Sequence, residues 1–249
     1  MRGLIIIPAF NEAENIIALL KKINALCLNL EIIVINDASE DNTAALARSI
    51  GAKVIDIPIN LGIGGAVQTG YLYAYYNDYD VAVQVDGDGQ HDPLYIQNLI
   101  TPIISGQADM VVGSRFIECT GFQSTSLRRF GIKYFEKLIF LLTKKRFSDP
   151  TSGFRACNKQ VIANFAKYYP DDYPEPETLV TINRKGFRII EIPVIMKERE
   201  GGQSSIKSIK TVYYMLKVTL AILMDVFKKN DEKRYSYHGT KVTAISNNN

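Results

Sequence analysis

Two acids one residue apart, Asp86 and Asp88, close the apolar run Val81, Ala82, Val83, Gln84, Val85, and Gly87, Gly89, Gln90, His91, Asp92 and Pro93 complete the stretch. A short Val-rich run reads as a buried strand, and the Asp/Gly sequence after it reads as the strand's carboxyl end turning sharply. Two carboxylates at a strand tip, with an amide and an imidazole just beyond, suit a hard divalent cation. That edge of an open α/β sheet is also where ligands bind. Gly87 and Gly89 let the backbone bend closely around whatever sits there. An ordinary Asp/Gly turn has the same composition, so the elements around it must decide.

Those elements alternate. Residues 4–7, 32–35, 54–57, 81–85 and 110–113 are short apolar runs that read as buried strands. Between them lie helical patterns: apolar Ile16, Leu19, Leu20 and Ile23 after an Asn11/Glu14 cap, then 44–50, 66–76 after a Gly-rich loop at 60–65, and 93–105 opened by Pro93. Alternation of this kind predicts an α/β fold, a doubly wound, mostly parallel sheet with helices on both faces. After Arg115 the beat breaks. A long helix of mixed charge over 127–143, a loop at 148–153, a strand from Phe154, a Pro and acid cluster at 171–177 before another helix, and an edge strand at 187–192 form a less regular half. The expected organisation is a domain over 1–205, split into 1–115 and 116–205, then an amphipathic helix over 206–229 and a polar, disordered tail over 230–249.

Composition narrows the class. The chain has 249 residues, 47% hydrophobic and 22% charged, enough to bury a core without staples. A formal net charge of +3 is too mild to argue for nucleic acid. Three scattered cysteines, Cys27, Cys119 and Cys157, form neither a disulfide framework nor a zinc spacing, which fits a reducing cytosol. The apolar run at 4–7 stops at Pro8, too short for a signal peptide, so it reads as a first strand.

Five loops follow the carboxyl ends of the five strands: 8–12, 37–41, 60–65, 86–92 and 114–115. Right-handed crossovers bring all five to one rim. That rim offers acids for a base or ribose, glycines for close approach, acids for a cation and Arg115 for phosphate. A nucleoside diphosphate carrying something else fits this set.

The ordered motifs Pro8-Ala9-Phe10-Asn11-Glu12, Val34 to Thr43 (VINDASEDNT), Asn60-Leu61-Gly62 and Asp86-Gly87-Asp88-Gly89-Gln90-His91 resemble the family 2 glycosyltransferases with the GT-A fold. Gly113-Ser114-Arg115, Asp149 to Arg155 (DPTSGFR) and Glu191-Ile192-Pro193-Val194 look like its dolichol-phosphate and polyprenyl-phosphate branch. The resemblance spans residues 4–205. It implies that Pro8, Ala9, Asn11, Glu12, Asp37 and Gly62 hold the nucleoside end of a nucleotide-diphosphate sugar, with a UDP-sugar favoured. It further implies Mg²⁺ or Mn²⁺ on Asp86, Asp88 and Gln90, phosphates facing Arg115 and Arg155, and inverting transfer to a lipid-linked acceptor or a cell-surface polysaccharide. Asp88 and Glu177 are the expected catalytic acids, although Glu175 and Glu177 also suit a plain helix start through its dipole. One departure stands out: the branch usually carries Lys after the Gly-x-Ser of its last loop, where Gly202-Gln203-Ser204 is followed here by Ser205, with Lys207 two places later.

The last helix has Ile206, Ile209, Val212, Tyr213, Leu216, Leu220, Leu223, Met224 and Phe227 at helical spacing, with Lys207, Lys210 and Lys217 elsewhere around the turn. Lys217 interrupts the run short of a bilayer span, so the helix either lies in a membrane surface or docks on its own core or a second copy, a homodimer. The expected location is cytoplasmic or peripheral on the inner face of the membrane. Other chemistries fit less well. An aspartyl phosphohydrolase wants Thr where Gln90 stands, and an EF-hand fails at His91 and Gln97. A dinucleotide loop would follow the first strand, not the third. A non-catalytic nucleotide-sugar-binding protein keeps the same rim. His91 is either a ligand contact or a turn imidazole satisfied by backbone.

Overall fold

The structure, a computed structural model, describes residues 1–118, 121–122, 126–197 and 208–227. The loop expected at 199–205 and the tail at 230–249 lie outside them. Seven strands form one sheet in the order β3-β2-β1-β4-β6-β5-β7. They are β1 (Gly3–Ala9), β2 (Leu30–Asp37), β3 (Lys53–Ile57), β4 (Val81–Gln84), β5 (Met110–Ser114), β6 (Arg155–Asn158) and β7 (Ile189–Pro193). Helices α1 (Ile16–Ala25), α2 (Thr43–Ser49) and α4 (Ile96–Ile104) belong to one face. On the other lie α3 (Gly62–Tyr76), α5 (Ser126–Thr143), α6 (Lys159–Lys167), α7 (Pro174–Arg184) and α8 (Ser208–Phe227).

The period-two side-chain alternation of each strand feeds both layers. In β1, Ile5 and Ile7 pack with Leu19, Leu20 and Ile100, while Leu4 and Ile6 pack with Val67 and Tyr71 of α3. A strand buried on both faces is largely apolar, which is why β1 reads as a continuous hydrophobic run and β4 as one broken only by Gln84.

The doubly wound, mostly parallel sheet matches the sequence expectation, with β6 as the exception. It runs antiparallel to both β4 and β5. This reversal positions the site: the loop entering β6, residues 149–154, opens on the same edge as the loops leaving β4 and β5. Two local expectations are corrected. Helix α1 starts at Ile16 with no side-chain cap, because Asn11 is left-handed (φ 55°) and its Oδ1 accepts the Glu40 amide at 2.8 Å. Helix α3 starts at Gly62 instead of following a Gly-rich loop, since its early amides find acceptors outside the helix. Gly62 N donates to Asn60 Oδ1 (3.0 Å), and Gly64 N donates to the Asp171 carbonyl (3.0 Å).

Candidate active site

The carboxyl edge gathers the donor-side residues first. Pro8 and Ala9 end β1, and the Pro8 carbonyl accepts the Gly87 amide at 3.2 Å. A Cβ on Gly87 would sit 2.9 Å from that oxygen, so only glycine lets the loop after β4 cross β1 this closely. Asn11 ties two loops together by accepting the Glu40 amide on Oδ1 and donating its own amide to Ser39 Oγ, 3.0 Å away. Glu12 is buried; its amide donates to Thr43 Oγ1 (2.8 Å) and its Oε2 accepts from Asn15 Nδ2 (2.8 Å). Asp37, at the end of β2 and 3% exposed, takes the Leu61 amide on Oδ1 at 2.7 Å. Among the described residues no hydrogen bond reaches its Oδ2, which leaves an acceptor at the end of β2.

The acid pair sits one strand over. Asp86 Oδ1 accepts from Gln84 Nε2 at 3.1 Å, and the Asp86 amide donates to His91 Nδ1 at 3.0 Å. Because Nδ1 accepts, Nε2 carries the imidazole proton, and it stands 3.6 Å from Asp86 Oδ2. His91 is 4% exposed and stacked on Phe154 with ring centroids 4.7 Å apart, so it is the turn imidazole satisfied by backbone. Asp88 Oδ1 accepts the Gln90 amide at 3.0 Å. Gln90 pairs with the acceptor half: its side-chain nitrogen donates to the Lys197 carbonyl (3.3 Å), and its carbonyl accepts the Lys197 amide (2.9 Å). Among the described residues no hydrogen bond reaches the Gln90 side-chain oxygen.

Two carboxylates and an amide oxygen are less than a full cage. Among the described residues, no group of three or more His, Cys, Asp and Glu side chains could hold a cation. Mg²⁺-type ions are held in just this way elsewhere, by one or two carboxylates plus substrate phosphate oxygens and water. The donor set therefore fits Mg²⁺ or Mn²⁺ in company with a diphosphate.

Beyond the acid pair lie two arginines and two glutamates whose roles the geometry separates. Arg115, 14% exposed at its side chain, forks onto Asp149 through Nε (2.6 Å) and Nη2 (2.7 Å), and Nη2 also meets Thr151 Oγ1 (3.1 Å). Among the described residues no hydrogen bond reaches Nη1, so one guanidinium edge remains for an anion. The fork is held from behind by Glu191 of β7, which accepts the Ser148 amide (2.7 Å) and the Asp149 amide (2.9 Å). Burial raises the Glu191 carboxyl above the ordinary range against those hydrogen bonds.

Arg155 does not sit as expected. It is fully buried, with Nε on the Ser152 carbonyl (2.7 Å), Nη1 on Thr178 Oγ1 (2.6 Å) and Nη2 on the Glu175 carbonyl (2.9 Å). Its charge is spent fastening α7 to the loop before β6, which corrects the expectation of a free phosphate contact. Glu177 is also turned elsewhere: it is 5% exposed and its Oε1 accepts from Tyr168 at the end of α6, 2.9 Å away. The acid that shares the rim's field is Glu175, partly buried in the first turn of α7. Burial lifts its carboxyl to about 7, with the charges of Arg155, Asp86 and Arg115 also acting on it. Two residues apart on a helix means roughly 200° of rotation, so only one of the pair can face the rim. The sequence carried no sign of which.

A seven-stranded sheet in this order, reversed at its fifth position and with its acid loops on one edge, is an α/β fold of the GT-A type. The chain belongs to glycosyl transferase family 2, whose family model matches residues 4–165. It is similar to polyprenol monophosphomannose synthase of Mycolicibacterium smegmatis, 28% identical over 87% of this chain and 85% of that protein. Undecaprenyl-phosphate mannosyltransferase of Micrococcus luteus is 30% identical over 82% of this chain and 87% of its own length. Dolichol-phosphate mannosyltransferase of Pyrococcus furiosus is 33% identical over 87% of this chain, which spans 62% of that protein. In fold it resembles glucosyl-3-phosphoglycerate synthase of Mycobacterium tuberculosis, solved with Mn²⁺ and UDP, at a TM-score of 0.69 and 21% identity over 90% of this chain and 79% of that one.

Proposed function

We propose that this glycosyltransferase moves a sugar from a nucleoside-diphosphate donor, a UDP-sugar by preference, to the phosphate of a polyprenyl lipid. The carrying observation is the convergence of Asp37, Asp86, Asp88, Glu175 and the free edge of Arg115 on one sheet edge. Asp37 Oδ2 is the acceptor for the ribose or base, with Pro8, Ala9 and Gly62 forming the close-fitting wall. Asp86, Asp88 and the Gln90 oxygen would hold Mg²⁺ or Mn²⁺, which when bound neutralises charge on the departing diphosphate. Arg115, preset by Asp149, supplies a second positive edge to the same group.

The acceptor oxygen forms its bond to the anomeric carbon from the face opposite the diphosphate, whose bond to that carbon breaks and takes the electron pair, with inversion. A lipid phosphate is already an anion and gives up no proton in the attack. Glu175, titrating near 7, is then suited to hold a proton and donate a hydrogen bond to that phosphate. The named relatives act on polyprenyl-type phosphates, which supports this acceptor over a polysaccharide hydroxyl.

The outer surface supports a membrane-facing reading. On α8, Leu216, Leu220 and Met224 are 60–64% exposed along one face. On α5, exposed Phe130 and Leu141 flank exposed Lys133 and Lys137. Apolar and basic side chains so arranged suit an anionic bilayer surface. No helix among the described residues is long and apolar enough to cross a membrane. The test is a panel of nucleotide sugars with Mn²⁺ and a polyprenyl phosphate in vesicles. Metal-dependent formation of glycosyl phospholipid from a UDP-sugar is the expected result, and its absence with every donor contradicts the proposal.

A further inference from the structure

Gln84 is a polar residue in a strand that is otherwise apolar, and it is 1% exposed. Period-two alternation puts Val81, Val83 and Val85 on the α1/α4 face, and Gln84 on the opposite one, behind Asp86. Its Nε2 donates to Asp86 Oδ1 at 3.1 Å, while its Oε1 accepts nothing. A buried amide that leaves half its capacity unused is costly for the fold and calls for a reason. From the other side His91 closes the loop on itself, accepting the Asp86 amide on Nδ1 (3.0 Å) with its Nε2 3.6 Å from Oδ2. The imidazole cannot swing away, being stacked on Phe154 and bridged through its backbone to Met196. Gly153 fills the third side: a Cβ there would stand 2.9 Å from Gln84 Nε2 and 3.1 Å from Asp86 Oδ2.

We propose that Gln84 and His91 are positioning residues that fix the Asp86 carboxylate in its cation-holding orientation before any cation arrives. Gln84 orients one carboxylate oxygen through its amide; His91 sets the backbone from which the carboxylate projects. The inference rests on the reading that Asp86 and Asp88 hold a divalent cation. Outer partners of metal-holding groups act in this way, and removing one typically weakens metal affinity about 10–100-fold.

The experiment measures Mn²⁺ binding in the presence of UDP, by loss of the aquo-Mn²⁺ electron paramagnetic resonance signal, alongside melting of the metal-free protein. Gln84→Met keeps the volume and removes both polar atoms. The expected result is an Mn²⁺ Kd about 10–100-fold weaker with a metal-free melting temperature held or raised, since the unsatisfied oxygen is gone. A role confined to the fold gives the opposite pair, a lowered melting temperature with unchanged Kd. His91→Asn, whose amide oxygen can take the Asp86 amide, should retain more affinity than His91→Phe, which keeps only the stack. A Gln84→Met Kd within threefold of a wild type that binds Mn²⁺ overturns the clamp. No Mn²⁺ binding by the wild type overturns the cation reading as well.

Discussion

Replacing Glu175 by Gln should stabilise the protein at neutral pH while crippling it. Burial lifts the Glu175 carboxyl from the ordinary 4.5 to about 7. Between those values the folded chain keeps a proton that the unfolded chain has released, so stability falls as pH rises through that window. A gap of about 2.5 pK units corresponds to at most about 3 kcal/mol, fully present as a cost above pH 7 and absent below pH 4.5. Gln carries no charge and escapes that cost. Urea unfolding of metal-free wild type and Glu175→Gln should therefore coincide near pH 4.5 and diverge towards pH 8, with the variant more stable. Turnover of the same variant should fall about 100-fold or more if Glu175 exchanges a hydrogen bond with the acceptor in the transition state. Glu177→Gln, which keeps an acceptor for the Tyr168 hydroxyl away from the rim but removes its charge, should lose a little stability and keep most of its turnover. Parallel stability curves for wild type and Glu175→Gln, or a Glu177→Gln that loses turnover while Glu175→Gln keeps it, would refute this assignment.

Asp88→Ala should abolish Mn²⁺-dependent UDP binding in calorimetry; unchanged affinity defeats the assignment of the acid pair. Arg115→Lys cannot reproduce the fork on Asp149, so kcat/KM should drop about 10–100-fold with the fold intact by circular dichroism, and a loss under threefold contradicts the role given to its free edge. Leu216→Ser combined with Leu220→Ser and Met224→Ser should abolish flotation with vesicles containing anionic lipid. Flotation that persists, or a shift from dimer to monomer in its place, reassigns that face.

Much of the architecture was written in the alternation of apolar runs. Strands buried on both faces are largely apolar segments, and five of them at regular spacing left little choice but a parallel sheet with its loops on one edge. Direction is another matter. Nothing in the apolar residues of β6 distinguishes a parallel from an antiparallel strand, and only the sheet order shows that the loop before it belongs to the rim. That Asp86, Asp88 and Asp37 share one edge was legible because each follows directly on an apolar strand run. Arg155 and Glu177 misled because a charged residue beside a motif carries no sign of which way it points. The alternation Phe154, Arg155, Ala156, Cys157 did hold the clue: Phe154 and Ala156 pack on one face, so Arg155 had to turn beneath α7 with Cys157. Gln84 went unassigned for a similar reason, since one polar residue within an apolar run reads as noise until its partner Asp86 is seen.

A crystal soaked with UDP and Mn²⁺ tests the centre of this account. An anomalous manganese peak bridging the diphosphate and the carboxylates of Asp86 and Asp88, with the nucleoside against Asp37, is the predicted result. Ligand and metal lodged away from that sheet edge would contradict it.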